Sequence, residues 1–303
     1  MKKVFILIIP LFTFYFGTAQ QQPQFTHYMY NTIAVNPAYA GSRDALAINL
    51  TNRNQWVGIN DAPRTTSLSV HSPLRNNKMG LGLSIMKDQA GWENFTFVYA
   101  DYSYTIQTKE EQFLSFGLKA GFSQYKIDED LYNEPTVIAD AYFQDKLNKW
   151  TPNIGAGVYY HSNKWYVGLS APRLINNDYN KTNEYVTLER NHYYVIGGYV
   201  FDLTKNTKLK PSFSTKYTKG TPLAIEVSAH LLLYEKFWIG ASYRHEDAFG
   251  ALFDFQIMKQ LRAGYAYEYT FSDLQPYTSG SHEIILIYEF KFEQSRYKSP
   301  RYF

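Results

Sequence analysis

From Leu114 to Phe122 the chain reads Leu114-Ser115-Phe116-Gly117-Leu118-Lys119-Ala120-Gly121-Phe122, with apolar side chains at even positions and small or polar ones at odd positions. A repeat of two is the period of a β-strand, whose successive side chains point to opposite faces. With Leu, Phe and Ala on one face and Lys119 on the other, the apolar face suits hydrocarbon and the polar face an enclosed interior. Similar alternation runs through Leu46, Ile48 and Leu50, through Leu223, Ile225, Val227, Ala229, Leu231 and Leu233, and through Ile284, Leu286, Tyr288, Phe290 and Phe292.

Working outward, strands are predicted near 44–52, 63–72, 78–87, 94–106, 112–127, 151–162, 164–171, 190–202, 207–218, 221–233, 236–246, 249–257, 260–271 and 281–292. About fourteen antiparallel strands is an even number within the range of bacterial outer-membrane barrels. The connections support closure. If the first strand runs outward, one end holds only short turns, and the other holds all the long loops, near 53–62, 88–93, 128–150, 172–189 and 272–280. Barrels sort their loops in this way, with short periplasmic turns and longer outer loops. The expected fold is therefore all-β, a transmembrane antiparallel up-and-down barrel over 44–292. Pro211 falls in the apolar phase of its strand, which predicts a bulge or strand end there.

Composition agrees. Aromatic residues make up 18% of the chain, with 28 Tyr and 21 Phe, while the mean hydropathy is −0.38. Tyr and Trp suit a surface that is apolar along its middle and wet at its ends. Charges concentrate in the inward phase: Lys119, Lys210, Lys216, Glu226, Arg244, Asp254, Arg262, Glu268, Glu289 and Lys291. The mixture of signs permits pairing inside the lumen. A net charge of +3 without a basic run gives no reason to expect nucleic acid as a partner.

The amino terminus has the order of a signal peptide: Lys2 and Lys3, an apolar run from Val4 to Phe16, then Gly17, Thr18 and Ala19 before Gln20. The run is too short for the roughly twenty residues of a spanning helix, and cleavage is expected after Ala19. No other stretch is apolar enough for a helical span. Zero cysteines exclude disulfides, thiolate metal sites and a lipoprotein anchor. The predicted organisation is a signal peptide at 1–19, a periplasmic segment or lumenal plug at 20–43, the barrel, and a periplasmic tail at 293–303.

A search for chemistry yields little. Ser228 and His230 lie two apart on one strand and share its inward face, but a hydrolase also needs an orienting group and an oxyanion site, and no G-x-S-x-G elbow occurs. His245, Glu246 and Asp247 alternate faces and cannot easily converge on a metal. The run Asp128, Glu129, Asp130 lacks the spacing and glycine of a calcium loop. No catalytic residue, metal ligand or cofactor is expected. Among the tryptophans, Trp150, Trp165 and Trp238 read as interface anchors, while Trp56 and Trp92 fall in outer loops, where an apolar ring needs packing or a partner.

Two blocks near the amino terminus carry a family resemblance. Pro23-Gln24-Phe25-Thr26-His27-Tyr28-Met29-Tyr30-Asn31, with Asn36-Pro37-Ala38-Tyr39-Ala40-Gly41-Ser42, forms the first. Arg53-Asn54-Gln55-Trp56-Val57-Gly58-Ile59, Ala62-Pro63-Arg64-Thr65 and His71-Ser72-Pro73-Leu74 form the second, and the ending Ser299-Pro300-Arg301-Tyr302-Phe303 adds to them. The chain thereby resembles the PorP/SprF proteins of the type IX secretion system of Bacteroidota. That resemblance implies a non-enzymatic outer-membrane protein with one of two roles. Some members belong to the core apparatus, associated with a periplasmic peptidoglycan-binding lipoprotein. Others serve large cargo proteins with a type B carboxy-terminal domain, including gliding adhesins, in their secretion or surface attachment. Outer-membrane lipid is the remaining expected partner. Candidate partner contacts are Gln55, Trp56, Val57 and Trp92 at the outer side, with Asn36, Pro37, Arg301, Tyr302 and Phe303 from the motif-bearing ends. Two rivals stand beside this reading: a porin or hydrophobic-solute transporter, and an outer-membrane acyl hydrolase.

Overall fold

A computed structural model describes residues 24–75, 77–133, 147–177 and 190–291. The signal segment and the carboxy-terminal tail lie outside these residues. Fifteen strands form one sheet: β1 (Ala45–Asn54), β2 (Arg64–Pro73), β3 (Met79–Ala90), β4 (Glu93–Lys109), β5 (Gln112–Ile127), β6 (Asn148–Ser162), β7 (Trp165–Ala171), β8 (His192–Tyr199), β9 (Phe201–Thr204), β10 (Thr207–Thr218), β11 (Ala224–Leu233), β12 (Phe237–Arg244), β13 (Ala248–Gln256), β14 (Leu261–Thr270) and β15 (Ser281–Lys291). Every pairing is antiparallel. β1 pairs with β15 and β10 with β11, so the sheet closes into a barrel of fourteen wall strands, with β9 as a short extra strand that continues β8.

The extra strand has a cause in the sequence. β10 pairs with β8 from Ser212 outward and with β9 from Leu209 inward, so the break at Val200 falls opposite the stretch containing Pro211. Proline has no N–H to offer the ladder. The bulge expected at Pro211 therefore appears in its neighbour.

Side-chain parity holds along the wall. In β5, Phe116, Leu118 and Phe122 are 46%, 63% and 54% exposed, whereas Ser115 and Lys119 are buried. Lys119 sits opposite Asp101 of β4 in the register, and their charges meet at 2.8 Å. The inward residues named from sequence are buried at Lys210, Lys216, Glu226, Arg244, Asp254, Arg262, Glu268 and Glu289 as well. Trp238 departs from expectation. It is 3% exposed and faces the lumen, because Phe237 and Ile239 hold the outward phase of β12. The loop expected near 88–93 also contracts, since Ala90 pairs with Glu93 and leaves a two-residue turn of Gly91 and Trp92. Gly91 adopts φ +56, a conformation that favours glycine.

The strand ends that bound the long connections, between β1 and β2, β5 and β6, β7 and β8, and β14 and β15, all lie at one end, which is the outer end by the loop rule. The opposite end has only short turns. β1 begins and β15 ends at that inner end.

Candidate functional site: the lumenal arm and the outer face

Residues 25–40 lie inside the barrel. Phe25, Tyr28, Met29, Tyr30, Ile33, Ala38, Tyr39 and Ala40 are buried, as are Thr26, His27, Asn31, Thr32 and Asn36. This arm descends from the outer end to the inner one. Thr26 meets Arg53, Glu268 and Glu283, near the outer ends of β1, β14 and β15. Gly41 lies against Gly80 and Pro73 at the inner end. The arm has little regular structure beyond a short helix, α1 (Thr32–Val35), and a 3-10 turn at Pro37–Tyr39. A buried segment of this kind must find partners elsewhere for its backbone polar groups.

Wall side chains supply them. Glu283 accepts the amides of Thr26 at 2.9 Å and His27 at 2.8 Å. Asn49 donates to the Tyr30 carbonyl at 3.0 Å, Ser170 to the Val35 carbonyl at 2.7 Å and Ser103 to the Ala40 carbonyl at 2.6 Å. The Asn31 amide bridges Ser67 and Ser69 of β2. Asn36 caps the 3-10 turn by accepting the Ala38 amide at 3.0 Å while donating to the Val158 carbonyl of β6 at 3.0 Å.

Charge holds the outer part of the arm. Arg53 pairs with Glu268 and donates to Thr26 Oγ1 at 2.7 Å; Arg244 reaches Glu268 at 2.8 Å and Glu226 at 3.0 Å. The His27 ring presents Nδ1 to Glu283 at 2.8 Å and Nε2 to Asp254 at 3.2 Å. The ring's Nδ1 makes a hydrogen bond with Glu283, whereas Nε2 faces Asp254 without one. Below it, the Tyr30 ring lies between Lys210, 5.1 Å from its centroid, and Arg262, at 4.8 Å, distances suited to cation–π attraction. At the inner end Arg43 donates to Tyr39 Oη at 2.8 Å and pairs with Glu289.

Shape holds the rest. A Cβ on Gly117 would stand 2.1 Å from the Ala38 nitrogen, one on Gly157 2.2 Å from Asn36 Oδ1, and one on Gly82 2.4 Å from Ile33 Cδ1. These inward positions have no side chain because the arm occupies the space.

The outer face is braced by its own bonds. Val57 and Gly280 join two loops: the Val57 amide donates to the Gly280 carbonyl at 2.8 Å, and Ser279 returns a bond to the Val57 carbonyl at 2.7 Å. Gly91 donates to Asp61 at 2.9 Å and Asp128 to Trp92 at 2.8 Å, which ties two further outer connections in. Trp56 and Asp61 hold positive φ in this region, a conformation that costs energy and tends to mark functional loops. Val57, Trp92 and Tyr277 are exposed by 38%, 40% and 71%.

The candidate contacts predicted from sequence thus separate. Val57 and Trp92 display apolar surface at the outer face, and Gln55 and Trp56 beside them are half-buried. Asn36 and Pro37 are buried in the lumen and fasten the arm. Arg301, Tyr302 and Phe303 lie outside the described residues. Ser228 and His230 share the inward face as expected, buried on the wall, with the His230 ring 6.1 Å from Tyr30. Among the described residues no group of three or more His, Cys, Asp or Glu could hold a metal. Sequence reading did not single out Arg53, Glu283 or Asp101. The signal was available for Arg53, since Ala47, Asn49, Thr51 and Arg53 continue one inward phase to the end of β1.

A barrel with an amino-terminal arm can be set beside known families. The model of the type IX secretion system membrane protein family PorP/SprF matches residues 17–288. The chain belongs to this family. As a PorP/SprF protein with this fold, it is an outer-membrane barrel. No curated protein matches it in sequence. Similar solved structures include the CymD monoaromatic hydrocarbon channel, at 11% identity and TM-score 0.51, covering 87% of this chain and 93% of CymD. The toluene transporter TbuX of Ralstonia pickettii is similar at 10% identity and TM-score 0.51, over 86% of this chain and 93% of TbuX. The toluene transporter TodX of P. putida follows at 8% identity and TM-score 0.50, over 88% and 95%. At such identity the likeness is one of fold alone.

Proposed function

We propose that this PorP/SprF protein works in type IX secretion by binding rather than by conducting: a sealed barrel that holds or delivers a secreted cargo at the cell surface. The observation that supports this reading is the arm. It runs the height of the lumen, is bonded to the wall from Glu283 to Ser103, and occupies the space above inward glycines. A lumen filled in this way leaves the two ends of the barrel as working surfaces.

The outer face, with Val57 and Trp92 on cross-braced loops, is the proposed cargo side, and the cargo proposed is one with a type B carboxy-terminal domain. The inner turns and the tail 293–303 face the periplasm, where a peptidoglycan-binding lipoprotein of the apparatus is the proposed neighbour. The segment 1–19 serves as a cleaved signal peptide in this reading. Photo-crosslinkers at Val57 and Trp92 in living cells test the assignment. Capture of one large secreted protein supports it, and crosslinks to lipid alone overturn it.

The likeness to hydrocarbon channels keeps a transporter as the second reading. It requires solute uptake by the intact barrel in liposomes, whereas the docking reading requires none.

A further inference from the structure

The two halves of the arm meet the wall in different ways. Residues from Ile33 to Gly41 are seated by shape on Gly82, Gly117, Gly157 and Gly80, where no other residue fits without displacing the arm. Backbone groups there are matched, by Asn36 and Ser103 among others. The outer half, Phe25 to Asn31, lies beside the polar wall of β11 to β14. Its hold combines hydrogen bonds and ion pairs of Thr26 and His27, interactions that water can replace, with apolar packing of Tyr28, Met29 and Tyr30 on Ile285 and Ile287.

That polar wall is incompletely satisfied. His230, fully buried, finds no hydrogen-bond partner for either ring nitrogen, and Arg262, 4% exposed, finds none for Nε and Nη1. Both lie against Tyr30 of the arm. Buried polar groups without partners raise the free energy of the state that buries them. Lifting the outer half would hydrate these groups and relieve the penalty. The inner half gains less by leaving: its glycine-seated fit is lost, and the buried polar group packed beside it is a neutral hydroxyl, that of Tyr166, rather than an imidazole and a guanidinium.

We infer that the arm works in two parts: Ile33–Gly41 is a fixed stopper, and Phe25–Asn31 lifts outward to uncover a binding site for a polypeptide turn on Glu283, Glu268 and Arg53. The site's chemistry is set by what it now holds. Glu283 accepts two successive backbone amides, those of Thr26 and His27 in a turn, an arrangement an extended strand cannot present to one carboxylate, and Glu268 and Arg53 bracket a hydroxyl, that of Thr26. A segment with a Ser or Thr followed by a cationic residue reproduces those contacts. The barrier below stays closed throughout. The inference deepens the docking reading and rests on it, yet its test uses purified protein without cargo, so either can fail alone.

The chain has no cysteine, so single substitutions report accessibility cleanly. In the full-length protein in detergent micelles, Tyr28→Cys should react with a soluble maleimide at least tenfold faster than Ile33→Cys. Equal protection at both positions, or equal reactivity, overturns the two-part arm. Thr26→Val, which removes the hydroxyl held by Glu268 and Arg53, should accelerate Tyr28→Cys severalfold and leave Ile33→Cys unchanged; no change at either position counts against the latch. A fluorescent synthetic peptide of residues 24–31 probes the site itself. Saturable binding, tighter in the Thr26→Val protein than in the parent, is expected. Absence of binding to both proteins, with the arm lifting, overturns the site.

Discussion

His27 and Glu283 stand 256 residues apart in the chain and meet inside the lumen, where Glu283 Oε1 accepts both the His27 backbone amide and its ring Nδ1 at 2.8 Å. This contact joins the first described residues to the last strand of the wall. Closure of the sheet and seating of the arm are thereby coupled. Glu283 is also opposite Arg53 in the β1–β15 register, so the strand pair that closes the chain ends on itself carries the arm's main acceptor.

Removing one member of that buried network leaves the others uncompensated. Glu283→Ala should destabilise the barrel by about 3–5 kcal/mol, the usual cost of breaking a buried charged pair from one side. Urea unfolding in lipid vesicles measures it. The double variant with Arg53→Met should lose less than the sum of the two single losses, because the residues share partners.

Parity gives a second expectation. Leu118 faces lipid and Lys119, beside it, faces the lumen. Leu118→Arg should cost about 2–4 kcal/mol at membrane depth. Asp101→Asn, which leaves Lys119 without its 2.8 Å partner charge, should destabilise by a comparable amount for the opposite reason. A lipid-face arginine without effect on the unfolding midpoint would contradict the register.

The glycine seat gives a third. Gly117→Val places carbon atoms where Ala38 and Pro37 now stand, and overpacking of this kind costs about 1–3 kcal/mol or displaces the smaller partner. The arm is the smaller partner. Limited proteolysis should cut the variant between β1 and Gln24 while the wall stays intact, whereas the parent resists.

Much of this barrel was legible in the sequence. β5 spans the residues predicted for it, and Pro211 announced the break that creates β9. A membrane wall writes its pattern locally, because each strand must alternate between lipid and lumen whatever its neighbours do. The arm was not legible in the same way. Its residues follow neither period, since their backbone is satisfied by wall side chains such as Asn49, Ser103 and Ser170 that are distant in sequence. The sequence leaves 20–43 open between a periplasmic segment and a lumenal plug, and inward glycines at 82, 117 and 157 read as ordinary small residues without the arm in place. The turn at Gly91 and Trp92 is shorter than the loop the sequence predicts, because turn length depends on how far β3 and β4 pair. Residue type alone predicts an interface position for Trp238, but the phase of Phe237 and Ile239 turns it inward.

Under the proposed docking role of the outer face, Trp92→Ala with Val57→Ser should reduce the amount of a secreted protein retained at the cell surface without shifting the unfolding midpoint, since neither side chain is buried. Immunoblotting of surface and medium fractions separates the two effects. Loss of retention together with loss of folded barrel would assign these residues to assembly instead.

Single-channel recording of the intact protein in a planar bilayer bears most directly on a lumen sealed by its own amino-terminal arm. Fusion of folded protein, verified by its heat-modifiable mobility, should produce no conductance steps, and removal of residues 24–41 should produce them. Discrete steps from the intact protein would contradict the seal.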